Sequence, residues 1–465
     1  MNAPAASSSS VDGPSGGSRG PRLSGIARAL ALQIAAETRA EWGYATDVIA
    51  RAFRAHRELG SSERRRISET VYALIRFDRL LGAIVEEMLA PLVRAGGDPS
   101  PILRDELKLL VLELRDGLPP DAVRADVSRL LPRTPVDIEA AMGPEAGLAG
   151  ATGIEREAIR LSVPTWLLQK VTAERGADAA STLLSAMNHR APLAIRVNTA
   201  RTSREALLAT LQEERVIARP GRWSPTALVL ETRVNAFGLS AFRNGLFEVM
   251  DEGSQLVADV VAPPPGGRVL DACAGAGGKT LALGALLAGK GRVLALDVDG
   301  RKLEELRRRA RRAGLSNVTA RPITDDGARL PDEARPGGWD RVLVDAPCSG
   351  LGTLRRNPEA RWRLTPDVVA AFATRQVGLL ATYAPLVAVG GRLIYATCTV
   401  MEEENQGVIR RFLAERDDFV QVPIKEIWGK ARMTELGQSD DGFLRLSPAE
   451  HDTDGFFAAV LRRTR

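Results

Sequence analysis

The sequence predicts an α/β protein: a parallel, doubly wound sheet preceded by an all-helical region and a small α+β module. Three observations carry this reading. Before about residue 148, apolar residues recur at three- and four-residue spacing. Between residues 166 and 231, two short strand-like runs alternate with helical ones. From Gly253 onward, strand and helix patterns alternate with the regularity of repeated βα units.

The first 20 residues are rich in Ala, Ser, Gly and Pro and lack the apolar centre of a signal peptide, so a disordered tail is expected. Residues 21–150 then read as five to seven helices. Ile26, Leu30 and Ile34, then Val48, Ile49, Ala52 and Phe53, then Ile67, Val71, Leu74 and Ile75 would each line one helical face. Clusters such as Gly96-Gly97-Asp98-Pro99 punctuate them. No catalytic constellation stands out in this region.

Residues 146–153 read as a linker. Residues 166–187 are helical, 193–198 a strand, 203–213 a helix and 227–231 a second strand, forming a module expected to end near Gly245. The expected domains are therefore a tail (1–20), an all-α domain (21–150), a helical linker with the α+β module (151–245), and a catalytic α/β domain (246–465). In the last, strands are expected near 268–273, 292–297, 318–323, 341–346 and 391–397. Helices are expected near 278–288, 300–313, 366–384 and 402–415, and residues 456–461 should add a strand that closes an edge.

Composition narrows the function classes. Hydrophobic content of 45% and charged content of 26% are ordinary for a globular chain. No apolar run approaches the roughly 20 residues of a membrane span. Three cysteines are too few and too scattered for a disulfide framework or a zinc site, so no metal is expected and a reducing cytoplasm fits. The net charge of +5 hints at nucleic acid. Arginines cluster at Arg64-Arg65-Arg66, between residues 301 and 312, and at Arg355-Arg356. Such clusters can neutralise phosphates or simply form solvated helix faces.

Two cysteines carry the chemistry. Cys348, in Asp345-Ala346-Pro347-Cys348, and Cys398, in Ala396-Thr397-Cys398-Thr399, each follow a strand-like run. Strand ends of this kind are where open α/β sheets place ligands. A third run, ending at Asp271, enters the glycine-rich segment Cys273-Ala274-Gly275-Ala276-Gly277-Gly278-Lys279-Thr280. A phosphate-binding P-loop would need glycine where Cys273 stands, and the dinucleotide pattern lacks its last glycine. S-adenosylmethionine fits: a glycine turn follows the first strand, and Asp297 ends the second, where an acid can hold ribose hydroxyls. Two thiols beside such a cofactor suggest covalent chemistry on an electrophilic carbon.

With these segments in view, the chain resembles the RNA cytosine-C5 methyltransferases of the Sun/Fmu and nucleolar-protein-2 type, in particular those bacterial 16S ribosomal RNA enzymes that carry a NusB-like N-terminal domain. The resemblance rests on Asp345-Ala-Pro-Cys348-Ser-Gly-Leu-Gly-Thr-Leu-Arg355-Arg356-Asn-Pro358, Arg361-Trp362, Thr397-Cys398-Thr399 and His451-Asp-Thr-Asp-Gly455-Phe-Phe457. It implies a Rossmann-like, S-adenosylmethionine-dependent catalytic domain and a small RNA-binding module. The implied cofactor contacts are Cys273, Ala274, Gly275, Ala276, Gly277, Gly278 and Lys279 in the loop, Asp297 at the ribose, Asp326 near the adenine and Asp345 near the methionine end. Where the family loop reads C-A-A-P-G-G-K-T, this chain has Gly275 and Ala276, which should leave the loop less preorganised.

The residues alone leave open which cysteine attacks. The resemblance implies that Cys398 is the nucleophile and that Cys348 takes part in product release. Trp362 either stacks on a displaced base or anchors its loop in the core, and Arg355, Arg356 and Arg361 could meet RNA phosphates. Lys279 either holds the lead-in segment or the RNA backbone, or is structural. The implied partner is small-subunit ribosomal RNA in a single-stranded or loop region, with no membrane partner and a monomeric enzyme. A non-catalytic RNA-binding assembly factor with a vestigial methyltransferase fold is the alternative.

Overall fold

The computed structural model describes residues 22–132, 134–232, 234–324 and 330–465. They form two compact units: the chain up to His189 together with Leu354–Arg363, and Arg190–Thr353 together with Leu364–Arg465.

Helices make the first unit. Six α-helices span Gly25–Glu41, Ala45–Ala55, Ser61–Arg76, Asp78–Arg94, Pro101–Arg115 and Pro120–Leu130; Gly153–Arg160, Thr165–Arg175 and Ala177–Ala186 follow. The start of Pro101–Arg115 illustrates the local logic. Ser100 caps the Leu103 N–H, and Pro101 fills a position whose amide would lack a partner anyway. The three- and four-residue apolar spacing then buries Leu107, Leu110, Val111 and Leu114. Ile34, Ile67, Val71 and Ile75 do the same in a neighbouring cluster. Each such side chain contributes about 1.5–3 kcal/mol, far more than helix propensity alone supplies.

Residues 354–363 complete this unit and overturn one expectation. The Arg361 side chain is fully buried, with its Nη1 donating to Ser162 O at 3.0 Å and Asn188 Oδ1 at 2.7 Å. Burial, aided by the nearby Arg76 charge, pulls its pKa down to about 9. Trp362 donates from Nε1 to Ile75 O at 2.9 Å and packs against Trp42, with ring centroids 5.6 Å apart. Ile75 lies in the last turn of its helix, where carbonyls have no intrahelical partner, so an indole N–H is well used there. Arg361 and Trp362 are therefore anchors of the helical unit, not groups held out toward RNA.

The second unit contains two sheets. In the smaller, β1 (Leu193–Val197), β2 (Ala218–Pro220), β3 (Ala227–Leu230) and β4 (Phe247–Val249) take the order β2-β3-β1-β4. The small sheet thus extends past Gly245, because β4 pairs with β1.

The larger sheet holds β5 (Arg268–Asp271), β6 (Arg292–Asp297), β7 (Val318–Pro322), β8 (Trp339–Asp345), β9 (Val387–Thr397), β10 (Phe419–Gln421), β11 (Leu444–Leu446) and β12 (Phe456–Arg463). Its order is β10-β12-β9-β8-β5-β6-β7, with β11 also on β12. Strands β5 to β9 are parallel, and β12 runs antiparallel to β9. The connections diverge between β5 and β8, so the crevice of this sheet opens beyond Asp271 and Asp345.

Two expectations need correction. Strand β12 does not close an edge: it lies between β9 and β10. Its run Phe456 to Leu461 is buried throughout, and an interior place spares it a bare apolar edge. The helix expected over 402–415 is broken: a 3₁₀ turn Glu402–Glu404 and an α-helix Gln406–Glu415 meet at Asn405, whose φ and ψ are both −107°. Among the described residues, no helix is long and apolar enough to cross a membrane.

Candidate active site

Register brings the two cysteines together. In the β8–β9 pair, Asp345 stands opposite Ala396, and Ala346 donates to Ala396 O at 2.8 Å. Cys348 and Cys398 come three and two residues beyond that pair, and their Sγ atoms lie 3.3 Å apart. The Cys398 sulfur and burial together push the Cys348 thiol well above the ordinary thiol range. A protonated Cys348 can therefore donate to Cys398 and stabilise negative charge there.

Three residues that sequence reasoning passed over, Glu404, Gln376 and Asn405, hold this arrangement. Glu404 accepts the Ser349 N–H at 2.8 Å, the Ser349 hydroxyl, and Gln376 Nε2 at 3.0 Å. Gln376 Nε2 also donates to Pro347 O at 2.9 Å, so both neighbours of Cys348 are fixed. Asn405 does likewise for Cys398: it accepts from Thr397 Oγ1 at 2.6 Å and donates to Thr399 O at 3.1 Å. The Ser349 and Thr399 hydroxyls, 2.9 Å apart, join the two halves. The break at Asn405 aims adjacent side chains at different loops.

The C-terminal motif packs against the same loops. Gly352 donates to Cys398 O at 2.9 Å and accepts from Gly455 N at 2.8 Å. A Cβ at Gly352 would stand 2.1 Å from Gly455 O and 2.7 Å from Cys398 O, so three backbones meet where only glycine fits.

The glycine-rich loop follows β5. Ala274 N donates to Leu296 O and Gly277 N to Ala274 O, each at 2.9 Å. Gly275 N donates to Asp297 Oδ2 at 2.7 Å, while Asp299 N donates to Asp297 Oδ1. Gly277 has φ +88°, and a Cβ there would collide with Leu306. At Gly275 and Gly278, by contrast, an added Cβ meets nothing within 4 Å, so the loop presents an open backbone face. That face, the free amides opening helix Gly278–Leu286 and the Asp297 carboxylate fit a nucleoside cofactor. Cys273 is half-buried against the main core. Asp326 lies outside the described residues.

Lys279 turns back to Asp345, with Nζ 2.7 Å from Oδ2 and 5.3 Å from the Phe456 ring centre. It ties the cofactor loop to the strand that leads to Cys348. Asp271, at the end of β5, is buried and accepts from Thr280 Oγ1 at 2.7 Å. Burial first, with the neighbouring Asp345 and Asp297 charges, raises its pKa to about 7. The folded chain therefore keeps a proton there that the unfolded chain releases near pH 4. Stability from this group is full below pH 4 and declines as pH rises to about 7, by at most about 4 kcal/mol. Asp271→Asn should flatten that part of the stability–pH curve in urea titrations. An unchanged slope between pH 4 and 7 would refute the assignment.

Glu404, Asn405 and Gln376 left no sequence signal. An acidic run before a helix is an ordinary helix start, and the partners of Glu404 and Gln376 lie tens of residues away.

Residues 258–462 match the family described as 16S rRNA methyltransferase RsmB/F, and residues 163–236 match its ferredoxin-like domain. A probable ribosomal RNA small subunit methyltransferase B of Synechocystis sp. is 32% identical over 94% of this chain and 99% of its own length. Ribosomal RNA small subunit methyltransferase B of Sodalis glossinidius is 35% identical over 66% and 67%. The crystal structure of PH0851 is 27% identical and covers 95% of this chain and all of its own, with a TM-score of 0.73. The cofactor is S-adenosylmethionine, in keeping with the open loop face and Asp297. With near-complete coverage at this identity, the chain belongs to the RsmB/F family of 16S rRNA methyltransferases.

Proposed function

We propose that this S-adenosylmethionine-dependent rRNA methyltransferase acts on C5 of a cytosine in small-subunit ribosomal RNA, with Cys398 as the covalent nucleophile. The observation that carries the reading is the pair of sulfurs 3.3 Å apart beside the β5–β8 crevice. C5 of cytosine is a weak nucleophile. A thiolate adding to C6 breaks the aromaticity and makes C5 electron-rich. The cofactor supplies an electrophilic methyl on a sulfonium. Transfer of the C5 proton to a water molecule restores the C5–C6 double bond and returns the electron pair of the S–C6 bond to Cys398. Cys348 assists that departure by donating its proton in a hydrogen bond to the leaving sulfur.

The remaining roles are those that the resemblance implies. The loop Cys273 to Lys279 and Asp297 hold the nucleoside part of the cofactor, with Asp326 near the adenine. Asp345, fixed by Lys279, serves the methionine end and stabilises charge on the cytosine ring. Residues 21–150 and the α+β module bind RNA, and the catalytic domain, residues 246–465, performs the transfer. The target base must be reachable by a partly buried thiol, so it lies in a single-stranded or loop region. The enzyme works as a cytoplasmic monomer.

Bisulfite mapping of ribosomal RNA from a strain lacking this protein tests the proposal. One lost 5-methylcytosine in 16S rRNA names the substrate. Retention of every 5-methylcytosine would overturn it.

A further inference from the structure

We infer that Arg309 is a positioning residue for the cofactor loop, holding in place a turn whose own residues leave it loose. The loop has two glycines at positive φ, Gly275 at +52° and Gly277 at +88°, separated by Ala276. None of the three restricts φ as a proline would, so the turn must be held from outside.

Arg309 supplies that hold. Its Nη1 donates to Ala276 O at 2.6 Å, across 33 residues of chain. The rest of its guanidinium is fixed by Glu248, which accepts from Nε at 3.1 Å and Nη2 at 3.0 Å. Glu248 is itself 2% exposed and is also gripped by Arg312. It lies on β4, opposite Arg196 on β1. Arg196 is fully buried beside it, and burial lowers its pKa to about 10. A fork held on one edge by a buried carboxylate can aim its remaining N–H in only a narrow range of directions.

Helix Gly300–Ala313 presents this device on one face. Leu306 fills the space at Gly277 that a Cβ would need, and Arg309, three residues on, reaches the carbonyl just before it. The loop is therefore set by the helix and, through Glu248, by the small sheet. Gly275 N–H, one residue from the held carbonyl, is thereby kept on Asp297, the residue suited to the ribose. Lysine cannot perform this role: one ammonium cannot make the two-bond grip on Glu248 and reach Ala276 in a fixed direction. The inference concerns cofactor binding and does not depend on which RNA atom is methylated.

The test uses the full chain with Arg309→Ala and Arg309→Lys, the latter keeping the charge beside Glu248 should the alanine variant fail to fold. Calorimetry should find S-adenosylmethionine bound about 10-fold more weakly by both variants, the scale of one charge-assisted hydrogen bond. Amide exchange in the cofactor-free protein should accelerate at residues 274–279 and stay unchanged in β8 and β9. Kinetics should raise KM for the cofactor while kcat at saturation changes less than about two-fold. Wild-type affinity in both variants would overturn the inference. So would weakened binding without faster exchange at 274–279, or full rescue by lysine.

Discussion

Cys398→Ala is expected to abolish methyl transfer to ribosomal RNA, by about 10⁴-fold or more, because the remaining thiol, Cys348, is held protonated and is a poor nucleophile. Cys348→Ala should behave differently. Cys398 still attacks, but its departing sulfur loses the hydrogen-bond donor 3.3 Å away. The covalent RNA–protein adduct should then accumulate and run as a slow-migrating band on a denaturing gel. Adduct formation by Cys398→Ala, with none by Cys348→Ala, would invert the two roles. No adduct with either variant, and full activity in Cys398→Ala, would remove covalent catalysis from the proposal.

Glu404→Ala should be the most damaging substitution outside the thiols and the cofactor contacts. It strips the acceptor from the Ser349 amide, the Ser349 hydroxyl and the Gln376 amide in a buried site. Leaving buried donors unsatisfied costs roughly 1–3 kcal/mol each, so a loss of about 3 kcal/mol is expected. The Cys348 loop loses its anchor, and activity should fall by at least about 10-fold through misplacement of the reacting atoms. Burial raises the Glu404 pKa despite the Ser349 hydrogen bonds, so the neutral form is already favoured relative to a surface glutamate. Glu404→Gln should accordingly cost about 1 kcal/mol or less, since the amide oxygen can still accept from Ser349 and Gln376. Urea unfolding and methyl-transfer rates on both variants check this. Equal stability and activity for the alanine variant would show that the network does not position Cys348.

Particular elements show which parts of this protein are legible in the chain. The strands ending at Asp271, Asp297 and Asp345 were readable because buried parallel strands are short apolar runs bounded by turn residues. Helix Gly300–Ala313 was readable from the spacing of Leu303, Leu306 and Ala310. Cys348 and Cys398 were readable because both follow strand-like runs and both fall at the thiol positions of the motifs that carry the resemblance. Arg361 and Trp362 were ambiguous: an arginine and a tryptophan on a loop look alike whether they face RNA or a helix end. Their partners, Ser162, Asn188 and Ile75, come from elements hundreds of residues earlier.

By itself, then, the sequence determined the α/β class, the order of the parallel strands β5 to β9 along the chain, the glycine turn with its acidic partner, and the two thiols. These are local facts, written in periodicity and in residues next to strand ends. Only the tertiary structure decided that β12 lies inside the sheet, that Glu404 and Asn405 hold the two cysteine loops, and that Arg309 steadies Ala276. The β12 pairing and the Glu404 and Arg309 bonds join segments far apart in sequence, and the Asn405 bonds form only where the chain bends after β9. The energy of each depends on burial and direction, and neither exists until the chain has folded.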